Sequence, residues 1–312
     1  MMKYEEFDYD AHFNEAYVEY EHREALQVKI KKQFQIIEHL VARFNEQLRG
    51  ESHVELIFVR GADISPLSSS SFGHVIRFPA QLVIEYYEFM ARYLGVPSID
   101  PTHQRCRRVS AALMYAFSHE FSHNMKAHTL VLSGEGLTED QVTLASETDA
   151  DFSAGMMSYL SFYNSAQGDK LFDFLNLNNN AAPLWVFTKD SGYAAVMLAF
   201  FLHCKTKGEA VNYHAANIRY HLLLAGFLYA ISETEPGLER FLFSGVEEAI
   251  QRLKGLEVEE HRRQVESFFS DNSKEFDAVM TSTAENVDRL RDVWESSSDI
   301  IAISKKYMDK SI

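Results

Sequence analysis

The sequence predicts an α+β fold that is mainly helical, with a small β-sheet set beside a histidine-bearing helix and a second helix that carries a glutamate. Three observations point there. Most of the chain carries helical periodicity or helix boundary signals. Two short segments alone read as strands. One helix holds two histidines a turn apart, with a glutamate between them.

Residues 11–49 read as one long helix. Ile30, Phe34, Ile37, Val41, Phe44 and Leu48 alternate steps of four and three, the spacing of a packing seam. The seam is short for a coiled-coil dimer, so it is expected to pack on the chain's own core, and Gly50 ends it. His53–Arg60 and Phe72–Phe78 are rich in β-branched and aromatic residues and are the strand candidates. The link between them, GADISPLSSSS, reads as polar and turn-forming. Pro79 stops the second strand, and a helix follows to about Tyr93, before Gly95 and Pro97.

Asp100 and Pro101 supply an N-cap and a first-turn proline for a helix running to about Lys126. Thr138 and Gln141 have capping-box spacing and open another helix, to about Tyr163. Residues 178–183, NNNAAP, read as a linker. Apolar helices are expected at about 191–204 and 215–232, and amphipathic ones beyond Pro236. The expected organisation is an N-terminal helical region over 1–50, a core carrying the site over 51–235, and a C-terminal helical region over 236–312.

The formal net charge of −15 disfavours nucleic-acid binding, which needs clustered Lys and Arg. The apolar windows Ala194–Leu202 and Leu222–Ile231 fall short of the ~18 residues of a spanning helix, so no membrane association is expected. Two cysteines, Cys106 and Cys204, form no disulfide framework and favour a reducing compartment. The acidic N-terminus lacks the pattern of a signal peptide. Together these lead to a cytoplasmic expectation.

Chemistry concentrates in Ala116–Met125, AFSHEFSHNM. His119 and His123 are four apart, so both imidazoles lie on one helical face and can reach one Zn2+ ion at ~2.0–2.1 Å. Glu120 lies about 100° round the helix, where it can take a proton from a metal-bound water. Val109, Leu113, Phe117 and Phe121 make an apolar stripe facing the core. Ala112 and Ala116, small and below His119, are expected to leave room for a cleft. A third protein ligand is needed. The next helix offers SETDAD, in which Glu147 and Asp151 share a face. Glu147 is assigned as third ligand, with Asp149 as its competitor about 200° round the helix. Asp151 is placed to accept the free N–H of a ligating histidine.

HExxH followed by ExxAD on a second helix resembles the gluzincin metallopeptidases. The resemblance covers about 35 residues. It implies that His119, His123 and Glu147 bind zinc, that Glu120 is the general base, and that Asp151 supports a histidine ligand. It also implies that Phe72–Phe78 is the sheet edge on which an extended substrate pairs. Downstream, NYHAANIRYHLLL is similar to the His-Pro…Arg stretch of the HtpX and CAAX-protease type, with Ala215 where the proline would stand. By that likeness His214 and Arg219 are the favoured catalytic groups for the oxyanion, beside Tyr213, Tyr220 and His221. The chain is also broadly similar to the soluble Lit-type phage-exclusion peptidases, which implies a role in phage defence.

His74, His103 and His203 read as structural, and Cys106 as buried and inert. The functional expectation is a zinc metalloendopeptidase acting on an intracellular protein or peptide, with the flanking helices free to recruit an activating partner. The alternative is a non-catalytic interaction protein with a structural zinc site.

Overall fold

The seam foreseen near the N-terminus is the inner face of α1 (Arg23–Gln47). Ile30, Phe34, Ile37 and Val41 are buried there, and Phe44 packs partly buried against Phe117 and Phe121 of the motif helix. The computed structural model describes residues 23–47, 53–59, 67–69, 75–94, 104–126, 128, 138–165, 183–206, 216–270, 281 and 284–289. Residues 11–22, Leu48 and Gly50 of the expected helix lie outside them. Asn45, near the end of α1, exchanges two hydrogen bonds with the backbone of Val54 and so fixes where the chain enters the sheet.

That sheet has three strands, β1 (Glu55–Val59), β2 (Leu67–Ser69) and β3 (Val75–Pro79), in the order β1-β3-β2. β1 runs parallel to β3, with Leu56 opposite Ile76, and β2 runs antiparallel to β3, with Ser68 opposite Ile76. Two sequence expectations are corrected here. The serine-rich link is not all turn, because Leu67–Ser69 pairs with β3; its strand character comes from that backbone pairing, which a polar sequence does not advertise. The second expected strand is also not an edge. β3 is the central strand, flanked by β1 over Val75–Pro79 and by β2 over Val75–Arg77, so it is not the sheet edge on which an extended substrate was expected to pair. The edge that packs against the motif helix is β2.

The helices follow as α2 (Ala80–Leu94), α3 (Gln104–Met125), α4 (Glu139–Ser165), α5 (Pro183–Thr206), α6 (Ala216–Thr234), α7 (Glu239–Lys254) and α8 (Glu259–Ser270), with a 3-10 turn at Pro236–Leu238. The fold is mainly helical α+β. The Thr138–Gln141 capping box forms: each backbone N–H donates to the other's side-chain oxygen, at 2.9 and 3.3 Å. α5 starts at Pro183, well before the expected 191. The proline read as the end of a linker occupies the first helical position, where its missing N–H has no partner to lose.

α3 runs through the middle of the molecule, against α1, α2, α4, α5 and the sheet. Its stripe Val109, Leu113, Phe117 and Phe121 is buried, and so is Ala112, which lies in packed interior and not along an open cleft. Near its N-terminal end Arg107 and Arg108 both donate to Asp190 of α5, at 2.8 and 3.0 Å, and Arg108 also reaches Glu248 of α7 at 2.7 Å. The Arg108 guanidinium lies over the Tyr193 ring, 3.6 Å from its centroid. This network, buried at Arg108 and Asp190, fixes one end of α3; the histidines sit toward the other.

Two helix pairs touch backbone to backbone. A Cβ on Gly155 of α4 would overlap the Leu223 carbonyl of α6, and one on Gly226 would overlap the Phe152 carbonyl. α5 and α7 repeat the arrangement through Gly192 and Gly245, against the Leu242 and Lys189 carbonyls. No described helix is long and apolar enough to cross a membrane.

Candidate metal centre

α3 and α4 run antiparallel, so a step of one turn up α3 matches a step of one turn down α4. His123 therefore meets Glu147, and His119 meets both Glu147 and Asp151. The four-residue spacing in each motif is what lets the two ladders mesh. His119 and His123 are buried, with exposures of 7% and 8%, and the Glu147 side chain is 12% exposed.

The facing atoms converge on one point. His119 Nε2 lies 3.0 Å from His123 Nε2 and 3.2 Å from Glu147 Oε2, and His123 Nε2 lies 3.4 Å from Glu147 Oε1. Ligands ~2.0–2.1 Å from a shared tetrahedral ion would stand about 3.3 Å apart, so the triangle fits one. Glu147 Oε2 is buried and makes no well-oriented hydrogen bond, although His119 Nε2 is within reach. The group His119, His123 and Glu147 could hold a metal ion.

Each imidazole is held from behind. His119 Nδ1 lies 2.8 Å from Asp151 Oδ1. A carboxylate only accepts, so Nδ1 carries the proton and, in the neutral ring, Nε2 turns a lone pair toward the centre. Arg219 of α6 donates to Asp151 through Nε and Nη2, both at 2.8 Å. His123 Nδ1 lies 2.8 Å from Nδ1 of His128, whose Nε2 lies 3.2 Å from Asp149 Oδ2. Lys126 donates to the same Asp149 oxygen at 2.6 Å and to Ser153 at 2.7 Å.

These contacts set the charges. Burial opposes the charged form of His119, but Asp151 and Glu147 outweigh it and raise its pKa to about 10. Burial would raise Glu147, yet His119 and His123 hold it well below the usual carboxylate range. Burial likewise opposes ionised Asp151, and Arg219 and His119 bring it down to about 2. Lone pairs and carboxylate oxygens packed this closely need a cation among them, either a proton on His119 or a metal ion.

The sequence-assigned ligands His119, His123 and Glu147 are thus brought together, with Asp151 behind His119. Asp149, the competitor, points away to His128 and Lys126. Glu120 is buried on α3 beside the pair. Arg219 rests on Asp151. Tyr220 is buried with its ring near Phe268, and His221, exposed, has its ring 4.0 Å from that of Tyr220. Tyr213, His214, His74, His103 and the Cys106 side chain lie outside the described residues. His203 packs against Phe268, and burial pushes the Cys204 thiol up to about 11, as befits structural groups. Sequence reasoning missed His128 and Lys126. Their signal was slight: a histidine five positions past His123, with no periodic pattern beyond the helix end. No family model, curated protein or solved structure matches the chain.

Proposed function

We propose that the chain is a zinc-dependent endopeptidase of the gluzincin kind, hydrolysing peptide bonds of a protein substrate. The observation that carries this reading is the convergence of His119, His123 and Glu147 next to a buried Glu120 on the same helix. Two imidazoles and one carboxylate are the donor set of hydrolytic zinc sites, which leave one position for water. A structural site would need a fourth protein ligand, and among the described residues no fourth joins the group. When bound, zinc supplies Lewis acidity toward the scissile carbonyl and lowers the pKa of water toward ~7.

The chain's own residues do the rest. Glu120, about 100° from His119 round the helix, takes the proton of the attacking water and returns it to the leaving amine. Asp151 and Arg219 hold the His119 ring in the orientation that aims Nε2 at the centre. His214 and Arg219 are the groups we assign to the oxyanion, both by resemblance; Arg219 Nε and Nη2 rest on Asp151. The substrate backbone pairs on β2, the sheet edge against α3.

The test maps new protein N-termini in cells expressing the wild type or Glu120→Gln. A few sharp cleavages made by the wild type alone, with equal zinc in both purified proteins, are expected. Equal cleavage by the variant overturns the mechanism.

A further inference from the structure

Asp149 stands where a competing ligand was expected, but the structure gives it different work. It lies within a chain of contacts that runs from the half-buried Lys126 through the buried Asp149 and His128 to His123. His128 is 4% exposed and Asp149 2%.

The proton arrangement along this chain follows from its far end. Asp149 Oδ2 already accepts from the Lys126 ammonium at 2.6 Å, which keeps the carboxylate ionised and acceptor-only. His128 Nε2, 3.2 Å from that oxygen, must therefore carry a proton; two acceptors facing each other would repel. In the neutral ring its Nδ1 is then an acceptor. His123 Nδ1, 2.8 Å away, must donate to it, and His123 Nε2 is left as a bare lone pair facing His119 and Glu147. Nothing in this sequence of constraints assumes a metal.

We propose that Lys126, Asp149 and His128 form a tautomer-setting relay that holds His123 in its metal-binding form. They are positioning residues, acting through His123 as Asp151 acts through His119. The two ligands are thus oriented by different devices, one by a direct carboxylate and one through an intervening imidazole. The relay deepens the zinc reading and rests on it for its purpose, but the His123 tautomer itself does not depend on that reading.

The informative variant is Asp149→Leu, similar in size but without an acceptor. Asn would not serve, because its oxygen can take the place of the one that accepts from both Lys126 and His128. With no acceptor there, nothing keeps the proton on His128 Nε2, so His128 Nδ1 is free to donate to His123 Nδ1 and His123 Nε2 to carry the proton that blocks a metal. Histidine tautomers are read by 15N–1H correlation NMR on 15N-histidine-labelled, metal-free full-length protein at pH 8. Zinc affinity is measured by competition with a chelating dye. Expected are Nδ1–H on His123 and Nε2–H on His128 in the wild type, loss of the Nδ1–H preference of His123 in Asp149→Leu, and zinc affinity lower by about 10–100-fold in that variant. His128→Gln, whose side-chain oxygen can still accept from His123, should keep more affinity than His128→Phe. An Nε2–H tautomer of His123 in the wild type overturns the relay, as does undiminished zinc affinity in a folded Asp149→Leu. If the wild type shows the expected tautomers but binds no zinc, the relay stands and the peptidase reading falls.

Discussion

Arg219 grips Asp151 with two nitrogens, each 2.8 Å from a carboxylate oxygen, and one of those oxygens also faces His119 Nδ1. A residue from α6 thereby helps decide how a histidine on α3 is turned. Arg219→Ala should weaken zinc binding by about tenfold or more, the effect typical of removing a group behind a ligand. Chelator competition reads this directly. If zinc affinity is unchanged while kcat falls, Arg219 works only on the substrate.

Glu147→Ala should weaken zinc binding more than Arg219→Ala does, because it removes a donor atom and not a support. Isotherms for the two variants, measured side by side, give the order. The reverse order would mean that Glu147 is not the third ligand.

On the proposed reading, zinc displaces a proton from His119, whose pKa is raised to about 10 in the metal-free protein. A group raised from 6.5 is protonated at pH 7, so binding at that pH should release about one proton from it and affinity should fall as pH drops. The sign for folding runs the other way at high pH. In the metal-free protein the His119 contribution to stability is full below 6.5 and is lost as pH rises through about 10. Calorimetry of zinc binding in buffers of different ionisation heat counts the protons; a count of zero contradicts the charge assignment.

Gly226→Ala should lower stability by about 1–3 kcal/mol, since its methyl meets the Phe152 carbonyl. It should also weaken zinc binding, because the same displacement draws Arg219 from Asp151. Gly245→Ala, at the equivalent contact between α7 and α5, should destabilise to a similar degree and leave zinc affinity alone. Denaturant melts and zinc titrations on both variants check the pair. Equal zinc affinity in both folded variants would separate the α4–α6 contact from the site.

Much of this was legible in the sequence because it rests on local periodicity. The Val109-to-Phe121 stripe, the Thr138–Gln141 box and the two four-residue ligand spacings each specify a helix face. What escaped depends on partners distant in the chain. β2 is a strand because β3 offers it a backbone, and β3 ceased to be an edge for the same reason. The early start of α5 escaped because Pro183 serves equally to end a linker or to begin a helix. Arg219 was singled out, but its hold on Asp151 follows from how α6 crosses α4, which no spacing encodes. His128 belongs to no periodic element, so only the folded site shows what it touches.

The glycine contact between α4 and α6 also bears on motion. Two helices that meet at their backbones have no side-chain layer over which to slide, and here a buried ion pair pins them a short way along. The metal-site residues of α3 and α4 and the arginine of α6 should therefore travel as one stiff plate. Any relative motion about the centre would then fall to the opposite flank of α3, where it meets β2 and β3.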